Sequence, residues 1–117
     1  MSKKIVITGG CGFIGSHLVE LLSKSNEVIA FDRYNSESDH YWLTNSKFKG
    51  RFSVVLGDIR DYDSVQSVLK GADVVIHMAA LIGIPYSYVS PLAYIRTNVE
   101  GTYNVLQASK ELELEIG

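Results

Sequence analysis

The sequence predicts an α/β fold in which a parallel sheet is covered by helices on both faces. Two observations predict it. Short apolar runs alternate with helical patterns along the 117 residues, in the order strand, helix, strand, excursion, strand, helix, strand, helix, which is the signature of strands joined by crossover helices. The runs are also apolar throughout, as in Val28-Ile29-Ala30-Phe31 and Val74-Val75-Ile76. A strand buried on both faces reads this way because neither side meets water. The length fits one domain or part of one.

Each element has its own signal. Lys4 to Thr8 is a β-branched run that ends at glycines and reads as the first strand. The next segment predicts a helix with Ile14, Leu18, Leu21 and Leu22 on its apolar face and Ser16, His17, Glu20 and Lys24 on the other. Glu27 to Phe31 reads as the second strand, closed by Asp32. Asn35 to Gly50 is polar with Tyr41, Trp42 and Phe48 scattered through it, and reads as a loop with a helical turn. Ser53 to Leu56 is the third strand, closed by Gly57-Asp58. Asp61 is placed to cap a helix carrying Val65, Val68 and Leu69, with Gly71 as its stop. Asp73 to His77 is the fourth strand. Pro91 to about Leu114 reads as one long helix with Ile95, Val99, Tyr103 and Leu106 on one face.

Composition narrows the class. Hydrophobic residues make up 46% and charged residues 21%, with a net charge of -2 and no basic run. A nucleic-acid or anionic-membrane partner needs a basic patch, so neither is expected. Cys11 is the single cysteine, which excludes an internal disulfide and argues against a metal cluster. No apolar stretch approaches the roughly 18 residues that span a bilayer. Ile5-Val6-Ile7 is too short for a signal-peptide core, so a cytoplasmic protein is expected.

The candidate site is the loop Thr8-Gly9-Gly10-Cys11-Gly12-Phe13-Ile14-Gly15. Gly9 lets the chain turn off the strand, Gly12 lets backbone approach a pyrophosphate, and Gly15 lets the helix pack closely. Amides near Gly12, Phe13 and Ile14 then face the phosphates, helped by the helix dipole. A glycine-rich turn that merely packs has the same residues. The context decides: a strand precedes, an amphipathic helix follows, and Asp32 closes the second strand 17 positions after Gly15. The fold expected is therefore a Rossmann-type doubly wound sheet in the strand order 3-2-1-4. Asp32 can accept hydrogen bonds from both hydroxyls of an adenosine ribose. A 2′-phosphate would face its carboxylate, which favours NAD over NADP. Arg33 works against that preference, because an arginine pairs with a 2′-phosphate.

These residues resemble a known family. The spacing within Ile7 to Leu18 resembles the extended short-chain dehydrogenase/reductases, the NAD-dependent nucleotide-sugar epimerases and dehydratases. Three further stretches are similar: Gly57-Asp58-Ile59-Arg60-Asp61, Val75-Ile76-His77-Met78-Ala79-Ala80 and Asn98-Val99-Glu100-Gly101-Thr102. The resemblance implies that Asp58 sits by the adenine amino group and Ile59 flanks the ring. It implies that Ala79 and Ala80 let the cofactor lie against backbone, and that Asn98 supports the active-site region. The stretch from Ala79 to Tyr88, with Pro91 after it, is most similar to 4,6-dehydratases acting on UDP-linked amino sugars. By that pattern Leu81 lies on the cofactor side, and Tyr86, Ser87 and Tyr88 are substrate-side candidates. Packing of Tyr86 and Tyr88 within the loop is an equal alternative.

The same resemblance exposes a gap. Family members work through a Tyr-x-x-x-Lys pair and a nearby Ser or Thr. The seven tyrosines are followed, four places on, by Ser38, Asn45, Gln66, Ser90, Leu92, Asn98 and Gln107. None is Lys, so no catalytic residue is assigned. The family places the pair after a fifth strand, and the chain ends where that strand is expected to begin. Residues 1–117 are expected to be the N-terminal portion of an NAD-binding domain, without the catalytic and substrate-binding portion and inactive alone. The nucleotide sugar is then the parent's substrate. The apolar fourth strand is expected to be an open edge, leading to a homo-oligomer or to aggregation. Two alternatives stay open: another reaction on the same scaffold (epimerase, reductase or decarboxylase), and a non-catalytic NAD(H)-binding regulatory module. Cys11 reads as a small packing residue, His77 as a satisfied core histidine, and Glu111, Glu113 and Glu115 as a solvated helix face.

Overall fold

A computed structural model of the chain describes residues 3–11, 13–33, 52–78, 92 and 96–116. Strand β1 (Lys4–Thr8) leads to helix α1 (Phe13–Leu22), then β2 (Glu27–Asp32). Strand β3 (Phe52–Leu56), helix α2 (Tyr62–Leu69) and β4 (Val74–His77) follow. A π-helical turn (Arg96–Glu100) runs into helix α3 (Gly101–Leu112), and β5 (Glu115–Ile116) ends the described chain. All pairs are parallel and the order is β3-β2-β1-β4-β5. The order 3-2-1-4 expected from the sequence is present.

The sheet carries one core on each face, because successive side chains of a strand point oppositely. Ile5, Ile7, Val28 and Ala30 pack with Cys11 and Val19 beneath α1. Val6, Phe31 and Val75 pack with Ile59, Val65, Val68, Leu69, Val105 and Ala108 beneath α2 and α3. This is the doubly wound arrangement. Helix α2 matches its sequence pattern: the Asp61 side chain accepts from Asp63 N, and Val65, Val68 and Leu69 are buried. Gly71 sits at φ 82, where a side chain would be strained.

Four expectations are corrected. The sheet does not stop at β4: β5 lies beside it, with Val74 opposite Glu115 and Val75 opposite Ile116. The cause is a sharp helix end. Glu113 adopts left-handed backbone at φ 57, Glu113 N bonds Lys110 O at 3.3 Å, and Leu114 N bonds Ser109 O at 2.9 Å. That pair of bonds closes the helix and sends the chain back to the sheet. The edge of β4 is thus partly covered.

The helix expected from Pro91 to Leu114 is, within its described part, a π turn followed by α3. Its apolar face is not its buried face: Val99, Tyr103 and Leu106 are exposed. Gly101, Asn104, Val105, Ala108 and Ser109 face inward instead, because small residues let the helix lie close to the sheet. Helix α1 differs likewise. Ile14 and Leu21 are exposed while Gly15, Ser16 and Val19 are buried, with Leu18 and Leu22 partly so. Strand β3, expected to be covered on both sides, alternates in exposure with Ser53 and Val55 open, as an edge strand does. The stretch Asn35 to Gly50 lies outside the described residues.

Candidate functional site

The strand order reverses between β1 and β4, since the chain winds outward through β2 and β3 and then returns to the other side. The crevice beyond the carboxyl ends of such strands is where doubly wound sheets bind ligands. The loop after β1, the ends of β2 and β3, His77 at the end of β4 and the π turn before α3 converge there.

The loop is built by close approach. Gly9 has φ 71 and donates its N–H to Phe31 O at 2.8 Å, so the turn off β1 needs a residue without Cβ. A Cβ on Gly15 would collide with the Gly9 carbonyl oxygen, and one on Gly10 would lie 2.6 Å from Ala30 Cβ. The first turn of α1 therefore presses on the loop itself. Phe13 and Ile14 open α1, where backbone amides lack intrahelical partners. Ile14 is 61% exposed and presents a large apolar face beside them. Cys11 is buried, as a packing residue.

Asp32 points at this loop. Its Oδ2 accepts from Cys11 N at 3.0 Å and its Oδ1 from Arg33 N at 2.8 Å. Two main-chain donors on different elements hold the carboxylate in one orientation at the mouth of the turn. Arg33 itself is exposed.

A second carboxylate ends β3. Asp58 Oδ1 accepts from Arg60 N at 2.9 Å, and the Arg60 guanidinium reaches both oxygens, with Nη2 to Oδ2 at 2.6 Å. This forked contact holds the Asp58 carboxyl below its usual range; partial burial opposes the shift and Arg33 adds to it. Ile59 is buried with its side chain against Gly101, and its carbonyl accepts from Asn104 Nδ2 at 2.8 Å. What Ile59 can offer a flat ligand is therefore backbone.

The ends of β1, β4 and α3 are joined through one ring. Thr8 Oγ1 lies 2.6 Å from His77 Nδ1, and His77 Nε2 lies 3.0 Å from Thr102 Oγ1. Thr102 donates to the Asn98 carbonyl at 2.8 Å, which places Asn98 in the π turn beside this bridge. Burial pushes the His77 pKa down. Both ring nitrogens have partners, as a satisfied histidine requires.

The structure thus brings Gly9, Ile14, Gly15, Asp32 and Arg33 to one mouth, with Asp58 and Ile59 one strand further out. Gly12, Ala79, Ala80, Leu81, Tyr86, Ser87 and Tyr88 lie outside the described residues, as does the side chain of Phe13. Sequence reasoning missed Gly10, the Cys11 amide, Arg60 and the Thr8–His77–Thr102 bridge. Only Arg60 had a signal, as a cation two places after Asp58.

Comparison with known proteins agrees with this geometry. The sequence profile of the GDP-mannose 4,6 dehydratase family matches residues 6–116. A UDP-N-acetyl-alpha-D-glucosaminuronate decarboxylase of Bacillus cytotoxicus is 34% identical over 110 residues, covering 93% of this chain and 33% of that one. A solved UDP-N-acetylglucosamine 4-epimerase from Methanobrevibacter ruminantium, in complex with UDP-N-acetylmuramic acid, superposes with a TM-score of 0.80 at 33% identity, over 97% of this chain and 36% of that one. DesIV, a dTDP-glucose 4,6-dehydratase from Streptomyces venezuelae solved with NAD bound, gives a TM-score of 0.81 at 30% identity, over 97% of this chain and 38% of that one. The chain spans about a third of the length of the relatives it matches. The match extends from the third residue of β1 through β5 and takes in the loop, Asp32, Asp58 and Asn98, so this chain belongs to the GDP-mannose 4,6 dehydratase family.

Proposed function

We propose that the chain binds NAD across the β1/β4 crevice, as the cofactor-binding portion of a nucleotide-sugar 4,6-dehydratase. The Asp32 carboxylate carries this reading, because two backbone N–H groups fix it against the glycine loop. Held there, it suits the two hydroxyls of a ribose and repels a 2′-phosphate, which favours NAD over NADP despite Arg33. Gly9, Gly12, Phe13, Ile14 and Gly15 would hold the diphosphate with backbone amides. Asp58 and the Ile59 backbone would receive the adenine, and Ala79, Ala80, Leu81 and Asn98 the nicotinamide side. Tyr86, Ser87 and Tyr88 would face a UDP-linked amino sugar. When bound, NAD supplies a hydride acceptor.

No tyrosine of the chain is followed by Lys four places on. The chain alone therefore has no pair to move the sugar hydroxyl proton and is proposed to be inactive by itself. A second reading, a non-catalytic NAD(H)-binding module, applies if the natural protein carries no such pair beyond residue 117 either. Another reaction on the same scaffold is the alternative within the enzyme class, since the similar proteins include a decarboxylase and an epimerase. Self-association is part of the proposal, supported by the open apolar side chains of Val99, Tyr103 and Leu106. A cytoplasmic location is also proposed, and among the described residues no helix is long and apolar enough to cross a membrane.

Calorimetric titration with NAD and NADP tests the cofactor reading. NAD is expected to bind more tightly, and Asp32→Ala is expected to erase the difference. No NAD binding, or tighter NADP binding, overturns it. Turnover assays with UDP-amino sugars test the rest: product formed by the 117-residue chain alone would sink the proposed inactivity.

A further inference from the structure

The hydrogen-bond partners of His77 determine where its proton sits. The Asn98 carbonyl can only accept, so the Thr102 hydroxyl spends its hydrogen there, at 2.8 Å. Thr102 Oγ1 can then only accept from His77, and the ring must present N–H at Nε2, 3.0 Å away. On the other side, Thr8 Oγ1 accepts the Met78 N–H at 3.0 Å. A neutral ring carries one N–H; with that proton on Nε2, Nδ1 is the acceptor and the Thr8 hydroxyl donates across the 2.6 Å contact. The donors run in one direction, from Met78 N–H through Thr8 and from His77 through Thr102 to Asn98. An imidazole with its proton on Nε2 alone satisfies every contact.

The location gives this ring a task. Thr8 is the last residue of β1 and directly precedes Gly9, whose left-handed turn begins the glycine loop. Thr102 and Asn98 belong to the junction of the π turn and α3. β1 and β4 are the two strands at which the sheet order reverses, so the bridge forms the floor of the crevice. Thr8 is 1% exposed, and its hydroxyl has little freedom to find water instead.

We propose that His77 is a positioning residue: an imidazole protonated on Nε2 only, which fixes the end of β1 against the first turn of α3 and so sets the glycine loop and Asn98 in one frame. The inference rests on the dinucleotide reading for its consequence, and on the hydrogen bonds alone for its geometry. Backbone packing of β1 on β4 holds the two strands together without His77. The ring adds the link from that pair to α3.

Three variants of the full chain test it. Thr102→Val removes the acceptor at Nε2 with little change of shape. His77→Gln keeps an N–H for Thr102 and loses the acceptor for Thr8. His77→Asn keeps that acceptor and is too short for Thr102. Imidazole nitrogen shifts by NMR report the tautomer, the Gly9 amide resonance reports the loop, and calorimetry reports the NAD Kd. The expected wild-type tautomer is Nε2–H. In Thr102→Val the tautomer is expected to become mixed and the Gly9 amide to move, although Thr102 lies on another element. NAD Kd is expected to rise about five- to tenfold in Thr102→Val and in each His77 variant, the size of one hydrogen bond.

An Nδ1–H tautomer in the wild type overturns the proposal. So does a Thr102→Val protein whose tautomer and Gly9 resonance are both unchanged, even if its melting temperature falls, since a merely structural role predicts that pattern. If the His77 variants do not fold, Thr102→Val carries the test. If wild type fails to bind NAD while the tautomer and Gly9 results hold, the dinucleotide reading fails and the positioning role of His77 stands.

Discussion

Helices α2 and α3 lie side by side on one face of the sheet and bury different kinds of side chain. Helix α2 turns branched apolar residues inward: Val65 and Leu69 are almost fully buried and Val68 nearly so. Helix α3 turns inward Gly101, Asn104, Val105, Ala108 and Ser109, and leaves Tyr103 and Leu106 outside. At their outer seam Tyr62 donates to Glu111 at 2.5 Å, which raises the Tyr62 pKa to about 12. One helix is held by apolar area. The other is held by close approach and by hydrogen bonds from Asn104, Thr102 and His77. The difference teaches that an apolar stripe marks the core only where the helix stands a full side chain away from the sheet.

The largest effect should come from α2. Leu69 is fully buried, and Leu69→Ala leaves a cavity that costs about 2–5 kcal/mol. Chemical denaturation is expected to show that loss without a change in the denaturant slope. A smaller cost would mean that α2 is not the apolar anchor of this face.

Next in size are two changes that probe α3. A Cβ on Gly101 would run into the Ile59 side chain. Gly101→Val is expected to cost about 1–3 kcal/mol by overpacking. Asn104→Leu strands the Ile59 carbonyl, which Asn104 Nδ2 serves at 2.8 Å, and is expected to cost about 1–3 kcal/mol. Because both act on Ile59, their double variant should lose less than the sum. Strict additivity in urea melts would break the picture of one shared contact.

These cases show what was legible. Helix α2 was readable residue by residue, since its cap, its stop and its apolar period are local. The turn at Gly9, the close approach at Gly15 and the place of Asp32 at the strand tip were readable because the strand before the loop and the helix after it are local signals. Helix α3 was not readable, because Gly101 and Asn104 face inward only by virtue of Ile59, a residue 45 places away from Asn104. The His77 bridge was hidden for the same reason: Thr8 lies 69 places from it. Strand β5 was missed because the left-handed turn at Glu113 uses no glycine or asparagine.

Acidification should separate the two helices. Burial lowers the His77 pKa in the folded chain, while the unfolded value stays near about 6.5. The neutral ring's contribution is whole above that unfolded value. It is lost as pH falls from there through the lower folded value, because the unfolded chain takes up the proton first. Hydrogen exchange is expected to speed up at Thr102 and its neighbours in α3 before it does in α2. Simultaneous loosening of both helices would show that the bridge is not what distinguishes them.

The smallest effect is the most telling one for the apolar stripe. Val99, Tyr103 and Leu106 are 63%, 60% and 49% exposed. Serine at each removes side chains that bury little within the chain, so each is expected to shift stability by no more than about 0.5 kcal/mol. The same changes in α2, at Val65 or Leu69, would unfold it. If the stripe serves self-association, the serine variants should keep their melting temperature at low concentration and lose mass by light scattering at high concentration. A large loss of stability at low concentration would mean that these side chains pack inside the chain after all, and that the contrast between α2 and α3 is one of degree. An unchanged mass at every concentration would leave the contrast intact and remove self-association as the reason for the stripe.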